Sequence, residues 1–295
     1  MSQRPAHRVL CFGEVLWDCL PTGRLPGGAP LNVAYHLSRL GADPRMISAV
    51  GADALGDEML SYLTECGLNT EFILRQRRLP TGVVTVSLSK SGQPSYMIEE
   101  GVAWDDIAGA GEWRAAVPGA EAIVFGSLSA RTEANRGALD ELLATPKLLR
   151  VMDVNLRAPF DDRDLVLALA AQADWLKLNE HELALLSGRE PEAGEWAASL
   201  VPALEVLADA TGCRQLCVTG GERGAVSWND GALLHAPAPE TIVADTIGAG
   251  DAFTAAFVLG LLNAPGEGYA ILERACALGA LVASLPGGQP DYTLG

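Results

Sequence analysis

The sequence predicts an α/β fold with three layers, in which a mostly parallel sheet is covered by helices on both faces, plus a small β-sheet lid. Three observations predict it. Short apolar runs recur along the chain, as strands buried on both faces require. Between them lie stretches whose apolar residues repeat three and four apart, the period of a helix with one buried face. One segment, 81–98, alternates apolar and small polar residues instead, which marks strands with one wet face.

In chain order, residues 9–12 form the first strand-like run. Residues 16–27 are rich in Pro and Gly and suit part of the lid. A helix over 32–40, a strand over 46–50 and a helix over 56–66 follow. In 81–98, Val84, Val86 and Leu88 alternate with polar residues, and Ser91-Gly92-Gln93-Pro94 makes a turn before Ser95, so a hairpin is expected. Strands over 122–125, 149–154, 175–178 and 216–219 then interleave with helices over 133–143, 165–171 and 196–210. Helices over 252–262 and 269–285 close the chain. No internal repeat or low-complexity linker divides it, so residues 1–295 read as one domain, with lid segments at about 16–29 and 81–104.

A chain of 295 residues that is 49% hydrophobic can bury a full α/β core. The net charge of -16, with only three lysines (Lys90, Lys147 and Lys177), argues against nucleic acid and anionic membrane surfaces, which reward clustered cations. A small substrate is expected. The six cysteines, at 11, 19, 66, 213, 217 and 276, show no paired short spacing and read as reduced thiols. Cys213 and Cys217 lack the further ligands of a metal site. The first apolar run reaches Glu14 too soon for a leader or a membrane span, so a cytoplasmic protein is expected.

The chemistry concentrates in Asp245-Thr246-Ile247-Gly248-Ala249-Gly250-Asp251, which leads into a helix. Glycines let backbone N–H groups approach an anion closely, and a helix start favours negative charge. A carboxylate there repels a phosphate, unless its task is to take a proton from a hydroxyl that attacks it. The plainer reading makes Asp251 an ordinary first-turn residue. Two rival motifs fail on the residues. None of the three lysines follows a glycine, as a Walker loop needs, and Phe253 stands where a dinucleotide fingerprint needs its third glycine.

The stretch from Asp245 to Phe253 resembles the C-terminal signature of the ribokinase (PfkB-type) family of carbohydrate kinases. Other segments agree in order. Gly27-Gly28-Ala29-Pro30-Leu31-Asn32 resembles the family's glycine pair and sugar-site Asn, although Ala29 stands where a second Asn is frequent. Gly51-Ala52-Asp53-Ala54-Leu55-Gly56 resembles its Gly-x-Asp-x-x-Gly, Asn179-Glu180-His181-Glu182 its Asn-x-x-Glu, and Val218 to Ala225 its nucleotide-lining strand and turn. The resemblance implies a ribokinase-like fold and ATP-dependent phosphorylation of a sugar.

It also implies roles, each with a structural alternative. Asp251 is the catalytic base, and the backbone of Gly248, Ala249 and Gly250 is the anion hole. Gly28, Asp18 and Asn32 bind the sugar; otherwise Asp18 caps a turn and Asn32 decorates a helix start. Asn179, Thr219, Gly221 and Gly224 line the nucleotide, unless the glycines only shape a hairpin. Glu182 reaches Mg2+ through water, or is a solvated surface residue. Arg157, in Asp153-Val154-Asn155-Leu156-Arg157, steadies the transferring phosphoryl group or makes a surface ion pair. Asp245, Ile247, Ser284 and Gly288 resemble the loop pair that holds K+ in relatives, and relatives also suggest a homodimer through the lid.

The flap Tyr96 to Asp106 is acidic, which suits a neutral sugar better than a phosphosugar or a sugar acid. The glycine-pair segment, Gly126-Ser127-Leu128 and Asp153 to Arg157 resemble bacterial fructokinases, which implies fructose and its 6-hydroxyl. Other substrates open to such a kinase are ribose, 2-keto-3-deoxygluconate and a nucleoside. A binding-only regulator gains nothing from a base beside a phosphate, and an NAD-linked oxidoreductase lacks its third glycine.

Overall fold

The computed structural model describes residues 6–21, 23–88, 94–109 and 111–293. The strands are β1 (Arg8–Phe12), β2 (Leu16–Leu20), β3 (Gly23–Gly27), β4 (Asp43–Gly51), β5 (Ile73–Gln76), β6 (Gly82–Leu88), β7 (Pro94–Ile98), β8 (Ala120–Phe125), β9 (Leu149–Asp153), β10 (Trp175–Asn179), β11 (Gln215–Thr219), β12 (Ala225–Asn229) and β13 (Ala232–Ala236). The helices are α1 (Ala29–Arg39), α2 (Ala54–Glu65), α3 (Glu133–Leu143), α4 (Arg163–Ala170), α5 (Glu180–Ser187), α6 (Trp196–Ser199), α7 (Val201–Thr211), α8 (Ala249–Asn263) and α9 (Gly268–Ala283).

The main sheet runs β13-β12-β11-β10-β9-β8-β1-β4-β5. The strands from β5 to β11 pair in parallel, and β12 and β13 add an antiparallel edge. After β1 the chain builds outward through β4 and β5, then returns to β8 on the other side. That reversal opens a crevice at the carboxyl ends of β1 and β8, where ligands of open α/β sheets bind. One face packs α1, α2, α8 and α9 around Val33, Leu37, Met59, Phe257 and Leu272. The other packs α3 to α7 around Leu139, Val166, Leu204 and Leu207. The three predicted layers are present. No helix among the described residues is long and apolar enough to cross a membrane.

The lid is a second sheet, ordered β3-β2-β6-β7. Its 16–27 and 81–98 segments pair through a parallel contact between β2 and β6, while β6 and β7 form the expected antiparallel hairpin. The Ser91-Gly92-Gln93 part of the hairpin turn lies outside the described residues. Asp53 anchors the lid to the core. It caps α2 by accepting from the Gly56 amide (2.8 Å), and also accepts from the Thr81 amide (2.8 Å) and hydroxyl (2.7 Å).

Four elements escaped the periodicity reading. β5, Ile-Leu-Arg-Gln, buries only its two ends, and β13 is a half-exposed edge, so neither shows a continuous apolar run. β12 completes a hairpin with β11, and α5 is two turns long. The single helix expected over 196–210 is two, α6 and α7, broken at Leu200 with a proline opening α7.

Trp104, 1% exposed, joins lid and core. Its indole packs against Gly82 of β6, its carbonyl accepts from Asn135 of α3 (2.8 Å), and the Arg131 guanidinium lies 4.0 Å over its ring. Trp104→Ala is expected to cost about 3–5 kcal/mol of stability, read as a lowered midpoint of urea unfolding.

Candidate active site

At the start of α8, Gly248 is the N-cap in a left-handed conformation (φ 76°). A β-carbon there would lie 2.5 Å from the Cα of Gly288, so only glycine allows the two loops to meet. The Ala249 amide turns back to the Thr246 carbonyl (3.3 Å), which leaves the Gly250 and Asp251 amides open to an anion. This narrows the expected anion hole, since Ala249 contributes shape rather than a free donor.

Asp251 occupies the first turn of α8. Asn32, buried on α1, donates from Nδ2 to its Oδ2 (2.8 Å), so the predicted sugar-site amide and the predicted base are in direct contact. Beneath them lies a buried ion pair. Lys177 Nζ on β10 donates to both carboxylate oxygens of Asp153 on β9 (3.0 and 3.1 Å), and the Thr254 hydroxyl donates to Asp153 Oδ2 (2.8 Å). Burial alone would discharge Lys177, but the charges of Asp153, Glu182 and Asp251 outweigh it and hold the ammonium above its ordinary range. Burial and the nearby Asp153 raise Asp251 to about 6, against the Asn32 hydrogen bond and the charges of Lys177 and Arg157. That value suits a general base at neutral pH.

Two more carboxylates face this place. Asp18, on β2, lies against Gly27, and burial raises it to about 6, partly countered by Arg157. Glu14 follows β1 and is 4% exposed; its Oε1 accepts from the Ala29 amide (3.3 Å) and its Oε2 has no partner. Burial raises Glu14 to about 7, and Asp251 adds to the rise. Glu14 lines a cavity with Ala29, Ser127, Asp153 and Asn155 at the mouth of the crevice. Gly28 must lack a side chain, since a β-carbon would strike the Glu14 carbonyl. Arg157 is exposed, and its guanidinium donates to the neighbouring Leu156 carbonyl (3.0 Å). Among the described residues it makes no ion pair, and its charge acts on Glu14, Asp18 and Asp251.

On the nucleotide side, Asn179 and Glu182 form a capping box at the start of α5. Asn179 Oδ1 accepts from the Glu182 amide (2.9 Å), and Glu182 Oε2 accepts from the Asn179 amide (2.8 Å). Glu182 Oε1 accepts from the Leu156 amide (2.9 Å). Glu182 is therefore no solvated surface residue: it is 4% exposed and ties the Arg157 turn to α5. A carboxylate so engaged fits Mg2+ through water at most, using its remaining lone pairs. Thr219 ends β11, while Gly221 (φ 60°) and Gly224 (φ 85°) shape the turn into β12. A β-carbon on Gly224 would collide with Ala236 of β13, so this glycine has a packing reason of its own.

The two loops predicted to share a monovalent cation are adjacent. Asp245 Oδ1 accepts from the Ile247 amide (3.0 Å) and Oδ2 from the Gly287 amide (3.0 Å), which joins 245–248 to the segment from Ser284 to Gly288. Ser284 spends its hydroxyl on the Leu281 carbonyl (2.7 Å), leaving backbone carbonyls as the donors that suit such an ion.

Glu14, Lys177 and Gln289 were not singled out from sequence. Lys177, a charge within an apolar strand, was the available signal; nothing local marks Gln289.

A buried carboxylate beside the open amides of a helix start is an arrangement that suits phosphoryl transfer to a hydroxyl. The comparisons agree. The chain matches the model of the pfkB family carbohydrate kinases over residues 6–293. It is 29% identical to a fructokinase of Klebsiella pneumoniae over 278 residues, 86% of this chain and 84% of that one. A Pyrococcus horikoshii protein described as an uncharacterized sugar kinase, solved in complex with ATP, superposes with a TM-score of 0.81 at 25% identity, covering 95% and 94% of the two chains. A double mutant of Vibrio cholerae fructokinase, solved with fructose, ADP and potassium, shares the fold at a TM-score of 0.81 and 22% identity, covering 97% and 94%. The chain belongs to the pfkB family of carbohydrate kinases and is a sugar kinase.

Glu14 ionises with a raised pKa, so its contribution to stability is present at low pH and is lost as pH rises through about 7. Glu14→Gln is expected to raise the melting temperature at pH 8 and to leave it unchanged at pH 4, measured by calorimetry at both. Gly248→Ala is expected to lower kcat at least tenfold in a coupled ADP assay, because the added methyl group separates the two loops.

Proposed function

We propose that the protein transfers the γ-phosphoryl group of ATP to the 6-hydroxyl of D-fructose, with Asp251 as general base. The contact between Asn32 and Asp251 carries the reading, because it places a group that reads hydroxyls within 2.8 Å of a carboxylate poised near neutrality. Asp18 and Asn32 hold the sugar, and Asp251 receives the proton of the attacking hydroxyl. The Gly250 and Asp251 amides, at the positive end of α8, take up charge on the transferring group. Arg157, facing the same acids, steadies that charge.

ATP fits the turn formed by Thr219, Gly221 and Gly224 beside Asn179, and the ATP-bound relative supports it as donor. Glu182 would hold, through water, a magnesium ion brought with ATP, which would supply positive charge against the phosphates. Potassium fits between the loops of Asp245, Ile247, Ser284 and Gly288. The carboxylates of Glu14, Asp18 and Asp251 disfavour an anionic substrate, and the fructokinase likeness favours fructose. The lid sheet exposes Leu25 and Met97, which supports a homodimer through that face.

ADP release across fructose, ribose, adenosine, 2-keto-3-deoxygluconate and fructose 6-phosphate tests the reading. Fructose is expected to give the highest kcat/KM, and Asp251→Ala to lower kcat by about 10²–10⁴. Near-normal turnover in that variant refutes the mechanism, whereas another sugar reacting best refutes only the specificity. The acid limb of kcat/KM is expected near pH 6, with activity lost as pH falls and Asp251 takes a proton.

A further inference from the structure

The C-terminal tail enters the site by a route that the reaction does not explain. Gln289 Nε2 donates to Asn32 Oδ1 (2.8 Å), on the side of the amide opposite Asp251. Gln289 Oε1 in turn accepts from the Tyr62 hydroxyl of α2 (3.0 Å). The Tyr62 hydroxyl donates to Gln289 Oε1, Gln289 donates to Asn32 Oδ1, and Asn32 donates to Asp251. A hydroxyl can donate or accept, so Tyr62 holds Gln289 in place without choosing its polarity, whereas the Gln289 NH2 at Asn32 Oδ1 leaves the Asn32 NH2 for Asp251.

The tail is clamped where this happens. Buried His36 on α1 meets the Gly288 carbonyl through Nε2 (3.1 Å) and the Tyr292 hydroxyl through Nδ1 (2.9 Å). Tyr35 donates to the Pro290 carbonyl (2.9 Å), and Arg39 bonds Asp291 (2.7 Å) and the Tyr292 carbonyl. Burial drives the His36 ring down to about 4, so it stays neutral and keeps this pattern at physiological pH. These contacts hold residues 288–292 against α1 with Gln289 turned inward.

We propose that Gln289 is a positioning residue for the base: it fixes the Asn32 amide with its NH2 toward Asp251. An Asn turned the other way presents Oδ1 to the carboxylate, which repels it and removes the donor that holds it. The inference rests on Asp251 being the base. The groups that face Asp251 are Glu14 after β1, Asp153 on β9, Arg157 after β9, Lys177 on β10 and Asn32 on α1; Gln289 acts only through Asn32.

Two variants of nearly equal size separate orientation from structure. Gln289→Glu replaces the donor with an acceptor, so Asn32 turns its NH2 away from Asp251. Gln289→Met removes the donor without reversing it. With fructose and MgATP, the Glu variant is expected to lower the kcat plateau above pH 8 at least tenfold, with the KM for ATP within twofold of wild type. Its acid limb is expected to move to higher pH, because the ionised carboxylate loses a hydrogen bond. The Met variant is expected to lose only about two- to threefold, with its limb moved less. A shifted limb with an unchanged plateau would mean added charge alone and overturns the proposal. So do equal losses in both variants accompanied by equally lowered melting temperatures. Asp251→Asn in the same assay separates the two ideas: if it retains turnover, the base assignment falls, and if it is dead while both Gln289 variants match wild type, only the positioning role falls.

Discussion

A lysine held charged inside the sheet underlies the rest of the site. Lys177 donates to both oxygens of Asp153, and a β-carbon on Gly250 would come within 3.2 Å of its ammonium, so it sits directly below the glycine turn that opens α8. Glu14, Asp18, Asp153, Glu182 and Asp251 gather at the carboxyl edge of the sheet, and Lys177 and Arg157 are the cations whose charges act on them. Without the buried ammonium, Asp153 would be an unpaired charge in the core, a loss worth about 3–5 kcal/mol in comparable pairs. The same ammonium opposes the burial and the Asp153 charge that raise Asp251, which keeps that carboxyl near 6 rather than higher.

Around that pair the structure joins segments far apart in sequence. Thr254 of α8 binds Asp153 of β9, and Asn32 of α1 binds Asp251 of α8. The contact of Gly248 with Gly288 and the two amides held by Asp245 bring the tail against the helix start. Asp53, through Thr81, ties the lid to the core at the same edge. Sheet, helix start and lid are thus fastened at a few polar points on the crevice rim, while the apolar cores on either face supply bulk stability.

Two of the residues singled out by motifs have two tasks. Glu182 completes a helix cap and holds the Arg157 turn, which explains why it is buried rather than solvated. Gly224 shapes the turn into β12 and also lets β13 pack. Both stand in segments that a motif singles out, and both have packing reasons of their own, so a motif alone cannot separate packing from ligand binding.

The sequence by itself determined the parallel strands β1, β4, β8, β9, β10 and β11 of the main sheet, the lid hairpin and the glycine turn that leads into α8 with Asp251. Each depends on local physics: apolar runs, alternation, and glycines at a helix start. Asp18, Asn32, Asn179 and Thr219 could be singled out as candidates because they stand in or beside contiguous motifs. Only the tertiary structure decided that Asn32 touches Asp251, that Glu182 is buried, that Lys177 pairs with Asp153, and that Gln289 reaches the site from the tail. Asn32 and Asp251 are 219 positions apart and Gln289 and Asn32 are 257 apart, distances over which no periodicity carries information. Those contacts exist because sheet order and helix packing bring remote segments together, and the partners of a buried polar group are chosen by that assembly rather than by its neighbours in sequence.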